Sequence, residues 1–204
     1  MDFDLTEEQR MVIDEARKFA DKALAPVVAE LDEKQECNLK AIRELGELGF
    51  LGMTVPEEFG GTGLGAVAYS GVIIELSKVD AGTATAVSVQ NSLVNDAVAK
   101  FGAPEQKREY LPKLASGEWL GAFSLTEAGA GSDPGSLRAN AVHDGDSFVL
   151  NGTKNFTTNG GFADVVIAFF QTDPGKGAKG ISALLLRTDV PGFAVGKHEN
   201  KLGI

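Results

Sequence analysis

Apolar positions along this chain follow two different periods, and the change falls near the middle. Up to about residue 117 they recur every three or four residues, the spacing of one face of a helix. Thr6 followed by Gln9 fits a capping box, in which side chain and backbone satisfy each other's open hydrogen bonds. Val12, Ala16, Phe19 and Ala23 then form a stripe that Pro26 closes. Asn38 is placed to cap a second helix carrying Leu39, Ile42, Leu45 and Leu48, with Gly49 at its stop. The stretch "FLGMTVPEEFGGTGLG" holds five glycines and a proline and reads as a long turn. Two more helical patterns cover residues 66–79 and 84–101. A last one opens at Pro104, a favoured first-turn proline, and is expected to be disturbed at Pro112.

From Trp119 onward the period becomes two, or gives way to short apolar runs. "WLGAFSL", "RANAVHD", "DSFVLNG", "KNFTT", "ADVVIAFFQT", "GISALLLR" and "FAVGK" all read as strands between turn clusters. Asp144-Gly145 between two of them signals a hairpin, because that pair tolerates the positive φ angles of a type I′ turn. Helices followed by strands predict the α+β class, with two separately packed units. The boundary falls near Gly117, giving a helical domain over 1–117 and a β domain over 118–204.

Charge narrows the partners. Lys and Arg number 19 against 29 Asp and Glu, a net charge of −10, so no basic face for nucleic acid is expected. Cys37 is the single cysteine, which excludes a disulfide within one chain or a cysteine-built zinc site. His143 and His198 lie far apart among polar residues, so no metal site is expected. No apolar stretch reaches membrane-spanning length, and "MDFDLTEEQR" lacks the charge and apolar block of a secretory signal. These features predict a reducing compartment, most simply the cytoplasm.

Candidate chemistry concentrates in two polar clusters. The first, "LTEAGAGSDPG", follows an apolar run. Gly129, Gly131 and Gly135 miss the dinucleotide fingerprint by one residue, Pro134 interrupts the helix that motif must open, and no phosphate-binding lysine follows. The alternative without a ligand is a glycine-rich strand connection. Against it, Thr126 and Ser132 offer hydroxyls, and the glycines let backbone N–H groups approach an oxygen-rich ligand. The second cluster, "NGTKNFTTNGG", carries Phe156, Thr157 and Thr158. Two such clusters on neighbouring strands are placed to converge on one planar polar ligand. Lys154 and Arg138 read as solvated surface positions ahead of phosphate partners.

"AFSLTEAGAGSD" followed by "LNGTKNFTTNGG" resembles the flavin-binding signature of the acyl-CoA dehydrogenases, most closely their short-chain, butyryl-CoA-type members. So do "LGFLGMTVPEEFGGTG", "FGAPEQKREYLPKLASGEWLGAFSLTE", "GKGAKGISALLL" and "PGFAVGKHENKLGI", in family order from Phe3 to Ile204. The resemblance implies a helical N-terminal domain, a β-barrel-like middle domain and then a helical bundle. It implies FAD as cofactor and oxidation of an acyl-CoA to the trans-2-enoyl-CoA, with α-proton abstraction by a carboxylate and β-hydride transfer to flavin N5. Electron-transfer flavoprotein is the implied acceptor, and a homo-oligomer the family's usual state; the mitochondrial matrix is the alternative location.

By position, Phe123, Leu125 and Thr126 should line the flavin, with Thr126 on the pyrimidine edge. Gly131 and Ser132 should lie near its phosphates, with Ser132 also near the thioester's pantetheine arm. Phe156, Thr157 and Thr158 form the second flavin segment, Thr158 being the partner for N5. Glu127 and Asp133 read as groups that fix the loop and not as acid–base catalysts. Ala128 stands where the family often has proline, Phe156 where many members have tryptophan, and Thr157 where they have an apolar residue. The family continues past the position of Ile204, so the catalytic base is expected beyond Ile204 and little dehydrogenase activity is expected of the chain alone. Three readings stay open: part of an acyl-CoA dehydrogenase, one subunit of a split flavoenzyme, or a non-catalytic flavin- or protein-binding module.

Overall fold

A computed structural model describes residues 4–201, 203 and 204; Phe3, where the family resemblance starts, and Leu202, in its last stretch, lie outside the described residues. Two compact units are present. One is built from helices up to Trp119 and includes Asn200–Ile204; the other spans Leu120–Glu199 and is built on a sheet.

The helical unit begins as its local sequence dictates. Helix α1, Glu7–Phe19, is capped by Thr6, whose Oγ1 accepts from the Gln9 N–H at 3.2 Å while Gln9 Oε1 accepts from the Thr6 N–H at 3.0 Å. It passes into a π-helical turn, Ala20–Leu24, before Pro26. The buried stripe is Ile13, Ala16, Ala20 and Leu24, turned from the predicted one, in which Val12, Phe19 and Ala23 are only half-buried. The partner sets this angle: Ile13 occupies the space that a β-carbon on Gly71 of α4, Gly65–Ser77, would fill. A short helix absent from the sequence reading, α2, covers Val28–Lys34 and ends at Gln35 with a left-handed φ of 57°.

Helix α3, Leu39–Glu47, is capped by Asn38, whose Oδ1 accepts from the Ala41 N–H at 3.1 Å. Its buried face holds Ala41, Ile42, Leu45 and Gly46, whereas the predicted Leu39 and Leu48 are exposed. Gly46 turns inward because a β-carbon there would lie 2.5 Å from the Ser116 carbonyl oxygen. Helix α5, Ala81–Ser88, runs through a π-helical segment, Val89–Asn95, into α6, Asp96–Phe101. Helix α7, Pro104–Ser116, continues through Pro112 without breaking; Leu111, Leu114 and Ala115 are buried on either side of the proline. Arg43 donates to the carbonyls of Gly117 and Glu118 just past the end of α7.

Buried amides fix the glycine-rich turn of this unit. Asn91 Oδ1 accepts from the Met53 N–H at 2.9 Å, and its Nδ2 donates to the Phe50 carbonyl at 2.8 Å. Asn95 Nδ2 donates to the Leu51 carbonyl at 2.7 Å. Backbone groups that cannot pair in a ladder thereby find partners inside the core.

The second unit is a mixed five-stranded sheet. Its strands are β1 Gly121–Ser124, β2 Asn140–Asp144, β3 Ser147–Asn151, β4 Val165–Gln171 and β5 Ile181–Arg187. β4 is central. β5 pairs with it antiparallel along its full length, from Val165↔Arg187 to Gln171↔Ile181. β1 pairs parallel with its first half, from Gly121↔Val165 to Ser124↔Ala168, and β2 joins parallel at Asn140↔Gln171. With β5 on one edge throughout, β1 and β2 follow each other along the opposite edge. The order of a helical unit followed by a mixed sheet is the α+β arrangement that the change of period predicts.

Two strand expectations fail. "KNFTT" and "FAVGK" form no strand; the first is held by side chains, described below, and Phe193 and Val195 of the second are exposed. The β2–β3 hairpin is present, but its turn lies one residue later than predicted. Asp144 pairs with Ser147, leaving Gly145 and Asp146 as the turn. Only Gly145 has positive φ, at 61°, which is the type II′ requirement and not type I′. The core on one sheet face is small-residue rich: Ala122, Ala139, Ala141, Ala163, Val166, Ala168 and Phe170, with Leu150, Leu184 and Leu186 packed against it.

Candidate functional site

The two polar clusters lie side by side in the sheet unit, and the contacts run in antiparallel order. Asn159 Nδ2 donates to the Gly121 carbonyl at 3.0 Å. Ser124 Oγ and Thr157 Oγ1 lie 2.7 Å apart. The Asn155 N–H donates to the Thr126 carbonyl at 2.8 Å, and Lys154 Nζ to the Leu125 carbonyl at 3.1 Å. The segment 154–159 therefore follows β1 and its exit with side-chain bonds in most of the places where a strand would use backbone. Asn159 takes a left-handed φ of 67°, which asparagine tolerates, while its side chain turns into the unit.

The first cluster is also fixed from within. Glu127 and Ala130 exchange two backbone bonds of 3.1 Å around Ala128-Gly129. Asp133 Oδ1 accepts from the Gly135 N–H at 3.1 Å. Glu127 is nearly buried and accepts from the N–H groups of Arg138 at 2.7 Å and Ala139 at 3.0 Å, and from Lys154 Nζ at 2.8 Å. Burial works to raise its pKa, but the Lys154 hydrogen bond, the two N–H groups and the Lys154 charge together hold the carboxyl below its ordinary value. Glu127 is thus a committed carboxylate that fixes the loop, as its sequence position implied. Lys154 is a correction: its side chain is 10% exposed, not solvated, because Glu127 and the Leu125 carbonyl claim its ammonium. Arg138 is exposed.

The residues singled out for a ligand separate into groups. Phe156 is 70% exposed with a left-handed φ of 56°, a conformation that costs a non-glycine residue about 1–3 kcal/mol. Phe123 is half-buried, its ring 5.1 Å from that of Phe169 at 59°. Leu125, Thr126 and Thr158 are half-buried, and Gly131 and Ser132 are exposed. The hydroxyls of Thr126, Ser132 and Thr158 hold no hydrogen bond among the described residues. Thr157 differs, since its hydroxyl is taken by Ser124. A β-carbon built on Gly129 or Gly131 would meet nothing within 4 Å, so open space lies over that backbone. An exposed aromatic ring, three uncommitted hydroxyls and an open glycine backbone suit a flat polar ligand with an anionic extension.

Sequence reasoning missed Ser124, Asn155 and Asn159, which bind the clusters together. The available signal was Ser124 itself, a polar residue at the end of the apolar run "WLGAF".

Comparison with known proteins follows the same division. Residues 6–118 match the family described as "Acyl-CoA dehydrogenase, N-terminal domain", and residues 122–204 match "Acyl-CoA dehydrogenase, middle domain". The short-chain specific acyl-CoA dehydrogenase of Clostridium acetobutylicum is 42% identical over 100% of this chain and 54% of its own length. The butyryl-CoA dehydrogenase structure from Megasphaera elsdenii superposes with a TM-score of 0.93 at 41% identity, covering 98% of this chain and 53% of that one. A chain solved in work on the electron transferring flavoprotein of Acidaminococcus fermentans gives 0.95 at 46% identity, covering 98% and 52%. The chain spans about half the length of the relatives it matches.

Proposed function

The chain belongs to the acyl-CoA dehydrogenase family, and from that premise we propose that its sheet unit holds FAD for the oxidation of an acyl-CoA thioester to the trans-2-enoyl-CoA. The observation that carries this reading is the antiparallel set of bonds joining residues 121–126 to 154–159, which brings the two ligand-facing clusters to one place. The residues present fit the cofactor: Phe156 offers an exposed ring, and Thr126 and Thr158 offer hydroxyls without other partners.

FAD, when bound, supplies a two-electron acceptor for the hydrogen that leaves the thioester's β-carbon as hydride. Phe123, Leu125 and Phe156 would give its ring apolar walls. The Thr126 hydroxyl would donate at the pyrimidine edge, where negative charge grows on reduction, and a donor there would favour the reduced state. Thr158, whose hydroxyl has no other partner among the described residues, would supply a hydrogen bond to the ring's N5. Gly131 and Ser132 would hold the phosphates and the pantetheine arm, through backbone N–H groups and one hydroxyl. Glu127 is not the base for the α-proton, since Lys154 and two N–H groups occupy its oxygens. We assign that base to no residue of this chain.

Electron-transfer flavoprotein is the acceptor we propose, supported by the likeness to the Acidaminococcus fermentans chain. No helix among the described residues is long and apolar enough to cross a membrane. The cytoplasm is the location we propose, with the mitochondrial matrix as the alternative, a mouse relative being described as mitochondrial. The test is uptake of FAD by the purified protein after removal of free flavin. A yellow protein with about one flavin per chain is expected, as for a single site; a protein that stays colourless at saturating FAD overturns the reading.

A further inference from the structure

Four of the hydrogen bonds that join residues 121–126 to residues 154–159 are chemically unequal. Three end on a backbone carbonyl, of Gly121, Leu125 or Thr126, and so do not depend on the side chains of those residues. The fourth, Ser124 Oγ to Thr157 Oγ1, joins two side chains at 2.7 Å, and Ser124 is only 5% exposed. Ser124 shares its sheet face with Ala122, an alanine of the apolar core. A lone hydroxyl would be costly in that setting, and each of these two is the other's partner.

The position of the bond matters more than its strength. Thr157 sits between Phe156, which presents the exposed ring, and Thr158, whose hydroxyl is uncommitted. Ser124 sits between Phe123 and Leu125 and two residues before Thr126. The bond therefore joins the two ligand-facing segments at the point between their contacts. Threonine is stiff at χ1, so a fixed hydroxyl also fixes the backbone that carries Phe156 and Thr158.

We propose that Ser124 and Thr157 form a positioning pair that holds the Thr126 and Thr158 donors at a set separation and thereby tunes how strongly FAD is bound and how readily it is reduced. This rests on the flavin reading above. Neither residue is itself required to touch the flavin.

The experiment measures FAD affinity and flavin midpoint potential in the purified protein and in Ser124→Ala, Thr157→Val, the double variant and Thr157→Ser. Each single apolar variant breaks the bond, Thr157→Val leaving the buried Ser124 hydroxyl unpaired and Ser124→Ala the half-buried Thr157 hydroxyl, and is expected to weaken FAD binding about tenfold and to move the potential. The double variant leaves no orphan hydroxyl, so its loss is expected to be well below the product of the two single losses. Thr157→Ser keeps the bond and is expected to restore wild-type affinity and potential. Should a single variant fail to fold, the double variant carries the same readout through its shifted potential. Wild-type affinity and potential in the double variant, or single losses that simply multiply, would overturn the proposal. A wild-type protein that takes up no FAD overturns the flavin reading first, which the wild type alone reveals.

Discussion

Among individual residues, Glu127 and Lys154 have most at stake. Their side chains are 11% and 10% exposed, so their charges are held largely out of water and each relies on the other. Glu127→Gln keeps the shape but leaves the Lys154 ammonium without its counter-charge, which for a buried pair costs about 3–5 kcal/mol. Chemical denaturation is expected to show a loss of that order, with partial recovery in Glu127→Gln/Lys154→Met. The pH dependence has a definite sign. The folded pKa of Glu127 lies below its ordinary value, so the unfolded chain takes up its proton first as pH falls. The stabilisation is complete above about pH 4.3, the usual glutamate value, and is lost as pH falls through the lowered one. The wild type is therefore expected to lose stability in acid more steeply than Glu127→Gln, measured by denaturation midpoints across that range. Phe156 stands at the opposite pole, exposed in a left-handed conformation. On the flavin reading, Phe156→Ala is expected to weaken FAD binding roughly two- to tenfold by loss of aromatic packing, read from a fluorescence titration.

At the level of elements, packing partners decided what local sequence left open. Thr6 with Gln9, and Asn38 with Ala41, were legible because a cap is made within one turn of chain. Which stripe faces inward was not, because it depends on helices distant in sequence. Gly71 admits Ile13, and Gly46 admits the backbone at the end of α7, so both stripes rotate toward a glycine that no periodicity reveals. The π-helical segment Val89–Asn95 escaped for the same reason, since Asn91 and Asn95 answer carbonyls some forty residues earlier in the chain. "KNFTT" has the aromatic and β-branched residues that favour a strand, yet Thr157, Lys154 and the nearby Asn159 supply the bonds that a ladder would have made. Both polar clusters were visible as composition; their meeting depended on those side chains. Gly46→Ala tests the packing argument. The added carbon meets a backbone oxygen that cannot swing aside, so destabilisation of about 1–3 kcal/mol is expected despite alanine's better helix propensity. Loss of helical circular dichroism against denaturant measures it.

For the whole molecule, the dominant fact is a net charge of −10. Such a field repels phosphates, so local N–H groups and hydroxyls have to hold an anionic ligand against it. Salt should help. The Debye length falls from about 30 Å at 0.01 M to about 8 Å at 0.15 M, which screens the general repulsion while leaving short-range contacts in place. The association rate of FAD, followed by stopped-flow fluorescence, is accordingly expected to rise with ionic strength over that interval. A basic binding face would give the reverse slope.

The crossing of β1 with the later segment also has a consequence during synthesis. β1 leaves the ribosome early, but its neighbours arrive in the order 154–159 and then β4, which ends at Gln171. At a translation rate of about 5–20 residues per second, β1 waits roughly 2–10 seconds for the last of them. Through that interval Ala122 and Phe123 have no sheet to enter, and the two polar clusters cannot meet. The helical unit precedes this stretch and can fold while it waits. On the flavin reading, cofactor uptake thus waits until the chain has passed β4.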